Sequence, residues 1–99
     1  MTIEKKVENG KTVLLLNGRL DTTTAPELQE MLIPEFDGGK DLLLDFTELV
    51  YVSSAGLRVL LLGEKTAKAT GVEQSLKGVS DEIMEIFEMT GFADILSFE

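Results

Sequence analysis

Apolar and polar positions change their spacing several times along the chain, and each change marks an element. Residues 2–8 carry Ile3 and Val7 among charges, which predicts an edge strand of low hydrophobicity. Asn9-Gly10 is a hairpin signal, because both residue types tolerate the positive φ of a tight turn. Thr12-Val13-Leu14-Leu15-Leu16 is apolar on both faces, as an inner strand covered from two sides would be. Residues 25–36 then switch to the helical period, with Leu28, Met31, Leu32 and Phe36 on one stripe. Thr24 and Glu27 have the spacing of a capping box, and Pro26 falls in the first turn. Pro34 predicts an end or a kink near Ile33. Asp37-Gly38-Gly39-Lys40 reads as a loop.

The second half repeats the alternation. Asp41-Leu42-Leu43-Leu44-Asp45 is a short apolar run between charges and predicts a buried parallel strand. Thr47-Glu48 is expected to turn the chain, after which residues 49–52 lead to Ser53-Ser54. A helix over about 55–70 should stop at Gly71, a residue suited to the left-handed position past a helix end. Leu57, Leu60, Leu61 and Ala67 form its apolar face, and Glu64 with Lys68 is expected as an exposed i,i+4 pair. Residues 73–77 read as a weak strand. Ser80 caps a helix that Gly91 ends, with Ile83, Met84, Ile86, Phe87 and Met89 expected to pack inward. Ile95, Leu96 and Phe98 fit a last short strand or a docked tail. The predicted fold is α/β: one domain over residues 1–99, with a mixed, mostly parallel sheet opened by an antiparallel hairpin.

Composition narrows the chemistry. The 99 residues include no cysteine and no histidine, which removes disulfides, zinc-thiolate sites, thiol nucleophiles and the commonest general base. Eighteen acidic residues against nine basic ones give a formal charge of −9. Such a surface repels nucleic acid and anionic lipid, and it suits a basic partner face or simply solubility. The polar first ten residues lack a signal-peptide core, and no run is long enough to span a membrane, so a cytoplasmic protein is expected. No carboxylate spacing marks a metal site, no glycine-rich phosphate loop is present, and no cofactor is implied.

One stretch stands apart. Val50-Tyr51-Val52 meets Ser53-Ser54-Ala55-Gly56, and an apolar helix follows. Ser54 is predicted at the N-cap, where a hydroxyl accepts from free backbone N–H groups. The same place attracts anions, so it is a sensible site for a phosphoryl group. In most chains a serine there is only a cap. A serine hydrolase needs a base for its hydroxyl, and neither histidine nor a Gly-x-Ser-x-Gly elbow is present. Lys65 and Lys68 lie well past the serines and are expected in solvent. Catalysis by this chain is not expected.

Tyr51-Val52-Ser53-Ser54-Ala55-Gly56-Leu57 resembles the signature of the STAS domain found in bacterial anti-sigma factor antagonists, an apolar pair followed by Asp-Ser-Ser/Thr/Ala-Gly-Leu-Gly. Gly18-Arg19-Leu20-Asp21 resembles that family's Gly-Glu-Leu/Ile-Asp, and Phe87-Glu88-Met89-Thr90-Gly91-Phe92 its Phe-x-x-Thr/Ser-Gly-Leu. The resemblance implies helices packed mainly on one face of the sheet, a monomer when free, and a regulatory binding role by partner switching. It implies as partners an anti-sigma factor with serine kinase activity and a metal-dependent serine phosphatase. It places the phosphoacceptor at Ser54 and a docking surface at Asp21, Ser53, Ser54, Ala55, Gly56, Leu57 and Arg58. Two positions depart from the signature. Ser53 stands where the family has aspartate, and Arg58 stands where it has glycine. Arg58 has three roles open to it: pairing with a phosphate, meeting an acidic partner residue, or lying in solvent. The alternatives are a STAS scaffold or transporter-associated module that is never phosphorylated, and a phosphocarrier. An acyl-carrier role is opposed by the predicted hairpin and strands.

Overall fold

The computed structural model describes all of residues 1–99. Strand β1 (Thr2–Glu8) turns through Asn9-Gly10, both at positive φ, into β2 (Lys11–Leu20), and the two pair antiparallel. Helix α1 (Ala25–Glu35) follows and tightens into a 3-10 turn, Phe36–Gly38. Strand β3 (Leu42–Val52) leads into helix α2 (Ser54–Thr70), strand β4 (Gln74–Lys77) and helix α3 (Asp81–Thr90), and a 3-10 turn, Phe92–Asp94, precedes the tail. The sheet order is β1-β2-β3-β4, with β2, β3 and β4 parallel. The tail docks beside β4: Phe98 bridges Leu76 in parallel, and Leu76 N–H donates to Ser97 O at 2.9 Å.

One apolar cluster joins Leu14, Leu16, Leu42, Leu44, Phe46 and Leu76 of the sheet to buried residues of all three helices. Val13 and Leu43, also buried, point to the opposite face and lie outside that cluster. This follows from the period of two along a strand, which sends neighbours to opposite faces. The helices therefore pack on one side of the sheet. Phe87 of α3 meets Phe46 there at 6.4 Å between ring centres.

Four local expectations are corrected. Thr47-Glu48 does not turn the chain; it lies inside β3, an 11-residue strand. The register against β2 slips twice, so that Leu15 pairs with Asp45 but Asn17 with Glu48, and Gly18 with Leu49 but Arg19 with Tyr51. Each slip puts one extra residue into β3, which is a β-bulge. The bulges expose Thr47-Glu48 and Val50-Tyr51 while keeping Phe46, Leu49 and Val52 in the core. Asp45 Oδ1 secures the first bulge, accepting from the Thr47 amide (2.9 Å) and hydroxyl (2.6 Å).

Thr24 forms no capping box. Its hydroxyl accepts from Asp21 N–H and donates to Arg19 O, both at 2.8 Å, and makes no cap bond to α1. Met89 does not pack inward with the rest of α3; it is 79% exposed. Pro34 does accompany the expected end of α1, which comes at Glu35, two residues past Ile33. It sits in the last turn, exposed, and the helix runs one residue past it. Glu64 forms no exposed pair with Lys68, because it is buried at 6% relative exposure. Gly63 explains this. A side chain there would strike Gln74 Oε1 and come within 3.1 Å of Leu32 Cδ2, so glycine lets α2 approach β4 and carries Glu64 inward with it.

Candidate functional site

Parallel strands end together, and the loops after them meet. Leu20, the last residue of β2, pairs with Val52, the last of β3, and Ser53 N–H donates to Leu20 O at 2.9 Å. Two connections leave from this point: residues 21–24 into α1, and Ser53 into α2. Asp21, Ser53 and Ser54 are therefore neighbours in space, although Asp21 and Ser53 lie 32 positions apart in sequence.

The first loop is built on the Asp21 carboxylate. Its Oδ1 accepts from the Thr23 hydroxyl (2.8 Å), the Thr23 amide (3.0 Å) and the Thr24 amide (3.2 Å). These donors, the Thr23 hydroxyl foremost, hold the Asp21 carboxyl below its ordinary value of 3.8, against a smaller opposing effect of desolvation. Asp21 is thus occupied in shaping the loop through one oxygen. The other, Oδ2, lies 3.8 Å from Arg19 Nε.

The second connection corrects the expected cap. Ser53, not Ser54, is the N-cap of α2, with extended backbone (φ −93°, ψ 175°) and its Oγ accepting from Gly56 N–H at 3.4 Å. Ser54 is the first helical residue. It is exposed, and its hydroxyl makes no hydrogen bond within the chain. The reason lies in Gly56: a Cβ there would come 2.7 Å from Leu20 Cγ and 3.1 Å from Leu20 O. Only glycine lets the first turn of α2 press against the end of β2, which rotates Ser53 toward the turn and Ser54 toward solvent.

Of the other residues proposed from sequence, Ala55 is half-buried and Arg58 exposed, one helical turn beyond Ser54. Gly56 and Leu57 are buried against the sheet, so they set the geometry and offer little surface. Sequence reasoning passed over two residues at the same edge. Tyr51, brought out by the second bulge, carries the Arg19 guanidinium 4.2 Å above its ring centre, a cation–π contact. The available signal was Arg19 itself, a cation within the Gly18-to-Asp21 motif. The arrangement can present a free hydroxyl at a helix N-terminus, with Arg58 one turn beyond it. It holds no base for that hydroxyl, and no cluster of three or more metal-ligating side chains occurs in the chain.

The STAS domain family matches residues 2–99. The chain belongs to that family. Anti-sigma-B factor antagonists of Staphylococcus aureus are 32% identical over 97 residues, covering 97% of this chain and 90% of theirs. The Bacillus subtilis protein of the same name is 31% identical over 98 residues, with the same shares covered. Among solved structures, the Bacillus cell fate determinant SpoIIAA in its phosphorylated form superposes with a TM-score of 0.75 at 17% identity, over 99% of this chain and 91% of that one. A sulfate transporter family protein from Wolinella succinogenes superposes at 0.80 and 21% identity, over 95% and 80%. These two structural likenesses establish the STAS fold. No helix here is long and apolar enough to cross a membrane.

Proposed function

We propose that this STAS domain is an anti-sigma factor antagonist that works by partner switching. It binds an anti-sigma factor, and phosphorylation of Ser54 releases it. The observation that carries the reading is the exposed Ser54 hydroxyl, free of hydrogen bonds, on the first turn of α2. The naming of its relatives as anti-sigma-B factor antagonists supports the same role. The docking surface comprises Asp21, Ser53, Ser54, Ala55 and Arg58. The kinase is the anti-sigma factor itself, and a metal-dependent phosphatase restores the hydroxyl.

The geometry suits such a switch. A phosphoserine adds about −1.5 to −2 charges at neutral pH. At the start of a helix the peptide dipoles tolerate that charge, so the fold should survive. At a docking face the same group adds bulk and must be desolvated, so binding should fail. Ser53 keeps the cap whether or not Ser54 is modified, which separates the structural hydroxyl from the regulatory one. The half-buried Asp21 carboxylate, charged over the physiological range, adds local negative charge in the adjoining loop.

The test is intact-mass measurement after incubation with ATP and the purified cognate anti-sigma kinase. One phosphate should appear on the wild type and none on Ser54→Ala. Ser54→Asp should lose affinity for the unmodified partner by at least about tenfold, or 1.4 kcal/mol. No phosphate, together with partner binding indifferent to Ser54→Asp, would replace this reading with a non-phosphorylated scaffold of the transporter-associated kind. Onward transfer of the phosphate to a second protein would replace it with a phosphocarrier.

A further inference from the structure

Beside Ser54, helices α1 and α2 diverge and leave an open groove of about 470 Å³. Its floor is apolar, formed by Ala25 and Pro26 of α1 and by Val59 and Leu62 of α2. Leu62 is 37% exposed, among the more exposed large apolar side chains in the chain. The charged residues that line the groove are Arg58 and Lys65, and no carboxylate lines it, in a chain of formal charge −9. Neither cation is spent internally. Lys5, Lys6, Lys11, Arg19 and Lys77 each have an acidic partner within 4 Å; Arg58 and Lys65, like Lys40 and Lys68 elsewhere on the surface, have none. The opposite wall supplies the uncharged Gln29.

Arg58 and Lys65 are seven residues apart, two turns of α2, so their Cα atoms lie about 10.5 Å apart along its axis. Leu62 falls between them on the same face. A ligand that matches this surface has an apolar ridge flanked by two negative charges about two helical turns apart. We infer that the α1–α2 groove seats an acidic amphipathic helix of the anti-sigma partner, with its apolar ridge on Val59 and Leu62 and its carboxylates on Arg58 and Lys65. Charge complementarity selects this occupant. A basic helix would face two unpaired cations over a partly desolvated floor, and an uncharged one would leave both cations unmatched.

The inference rests on the partner-switching reading for the identity of the partner and extends it to the partner's chemistry. It also gives Arg58 a use in binding. Lying one turn past Ser54, it is the groove residue a phosphate on Ser54 would reach first, so modification would compete with the partner's carboxylate for the same cation.

The experiment uses the full chain and two synthetic helical peptides of fourteen residues, each with leucine along one face. One carries glutamates seven residues apart flanking that face, the other lysines at the same positions. Binding is read by amide chemical shifts and by titration calorimetry. The glutamate peptide should bind about tenfold more tightly than the lysine peptide, as expected for two partly desolvated ion pairs. Its shifts should centre on residues 25–29 and 55–65, and its affinity should fall as salt rises. R58E/K65E should invert the preference, and the milder R58Q/K65Q should abolish it. Circular dichroism of both variants checks that these exposed changes leave the fold intact. Equal binding of the two peptides, or shifts elsewhere on the surface, would overturn the inference. Self-association of the free chain that R58E/K65E abolishes would assign the groove to a second copy and overturn it equally. No kinase or ATP enters this assay, so its failure leaves the Ser54 switch standing. An unmodified Ser54 in the mass measurement would remove the switch without touching the groove's preference.

Discussion

The two halves of α2 use the same device and reach opposite results. At its N-terminal end, Gly56 allows close approach to Leu20 of β2, and the neighbouring polar group, Ser54, is left in solvent with no bond to make. Just past mid-helix, Gly63 allows close approach to Gln74 of β4, and the neighbouring polar group, Glu64, is buried. The difference comes from what lies beyond each contact. Past Leu20 the sheet ends, and the loops open to solvent. Past Gln74 the docked C-terminal tail closes over the helix, and burial pushes the Glu64 carboxyl above its ordinary 4.5. Lys68 opposes that shift, the Gln74 amide and Ser97 backbone oppose it less, and Glu73 adds to it. A glycine contact thus sets how near two elements come, while the edge of the sheet decides whether the adjacent side chain meets water or protein.

The buried end also accounts for two polar atoms that lack partners. Gln74 Nε2 donates to Leu60 O at 3.2 Å, which leaves Gln74 Oε1 without a donor, and Glu64 Oε1 lacks one too. A protonated Glu64 would offer a donor that the carboxylate lacks, in keeping with the upward direction of its pKa.

The comparison can be broken at either end, and the largest effect should come from the glycines. Gly56→Ala places a Cβ against backbone and a branched carbon of Leu20, an overpacking cost of about 1–3 kcal/mol. The gain in helix propensity, about 1 kcal/mol, offsets only part of it. Gly63→Ala should cost less, since the atom it meets ends a rotatable carboxamide. Urea denaturation of the two variants tests that order; a larger loss at Gly63 would contradict it.

Next in size is Glu64→Gln. Because the folded carboxyl has a raised pKa, the unfolded chain releases this proton first as pH climbs above about 4.5. The contribution of Glu64 is then fully present below that pH and is lost as pH rises through the folded value. Glu64→Gln carries a permanent donor, so it should stabilise the protein by about 1 kcal/mol at pH 7, the order of one hydrogen bond. At pH 4 the two proteins should be equal. Thermal melts at the two pH values measure this, and a destabilised Glu64→Gln at pH 7 would show that the carboxylate is charged and satisfied.

Smaller still is the cap. Ser53→Ala should cost about 0.5 kcal/mol, the low end of the N-cap range, given its 3.4 Å bond to Gly56. Ser54→Ala should lie within about ±0.5 kcal/mol of wild type, as exposed substitutions do. A larger loss at Ser54 than at Ser53 would reverse the assignment of the two hydroxyls. Asp21 titrates in the other direction from Glu64. Its lowered pKa gives stability present above about 3.8 and lost as pH falls through the folded value, so Asp21→Asn should flatten the acid limb of the stability profile.

Much of the fold was legible from local rules. The Asn9-Gly10 hairpin, the Ser80 cap, whose Oγ accepts from Ile83 N–H, and the glycine stops at Gly71 and Gly91 depend on residues within a few positions of each other. Thr24 was misread locally, since its hydroxyl serves the Arg19–Asp21 turn instead of α1, but the misreadings at Thr47-Glu48, Glu64 and Ser54 were non-local. A broken alternation at Thr47-Glu48 is the same in sequence whether it marks a turn or a bulge; the pairing with β2 decides. The spacing of Glu64 and Lys68 fits a solvent pair until a tail more than thirty residues later covers one of them. Ser53 and Ser54 are equivalent as letters, and the contact of Gly56 with Leu20 tells them apart. Lys65 is exposed, as its helix alone predicts, and only α1 beside it makes that position a groove wall.

By itself the sequence determined that this chain would form strands and helices in this order, that it has no thiol or imidazole to work with, and that one serine pair opens a helix. Period, capping and turn chemistry act over a few residues, so they can be read along a line. Tertiary structure decided which serine caps and which is free, which carboxylate is buried, and where two cations face an apolar floor. Those outcomes depend on how closely separate elements approach, and that distance is set by side chains far apart in the chain.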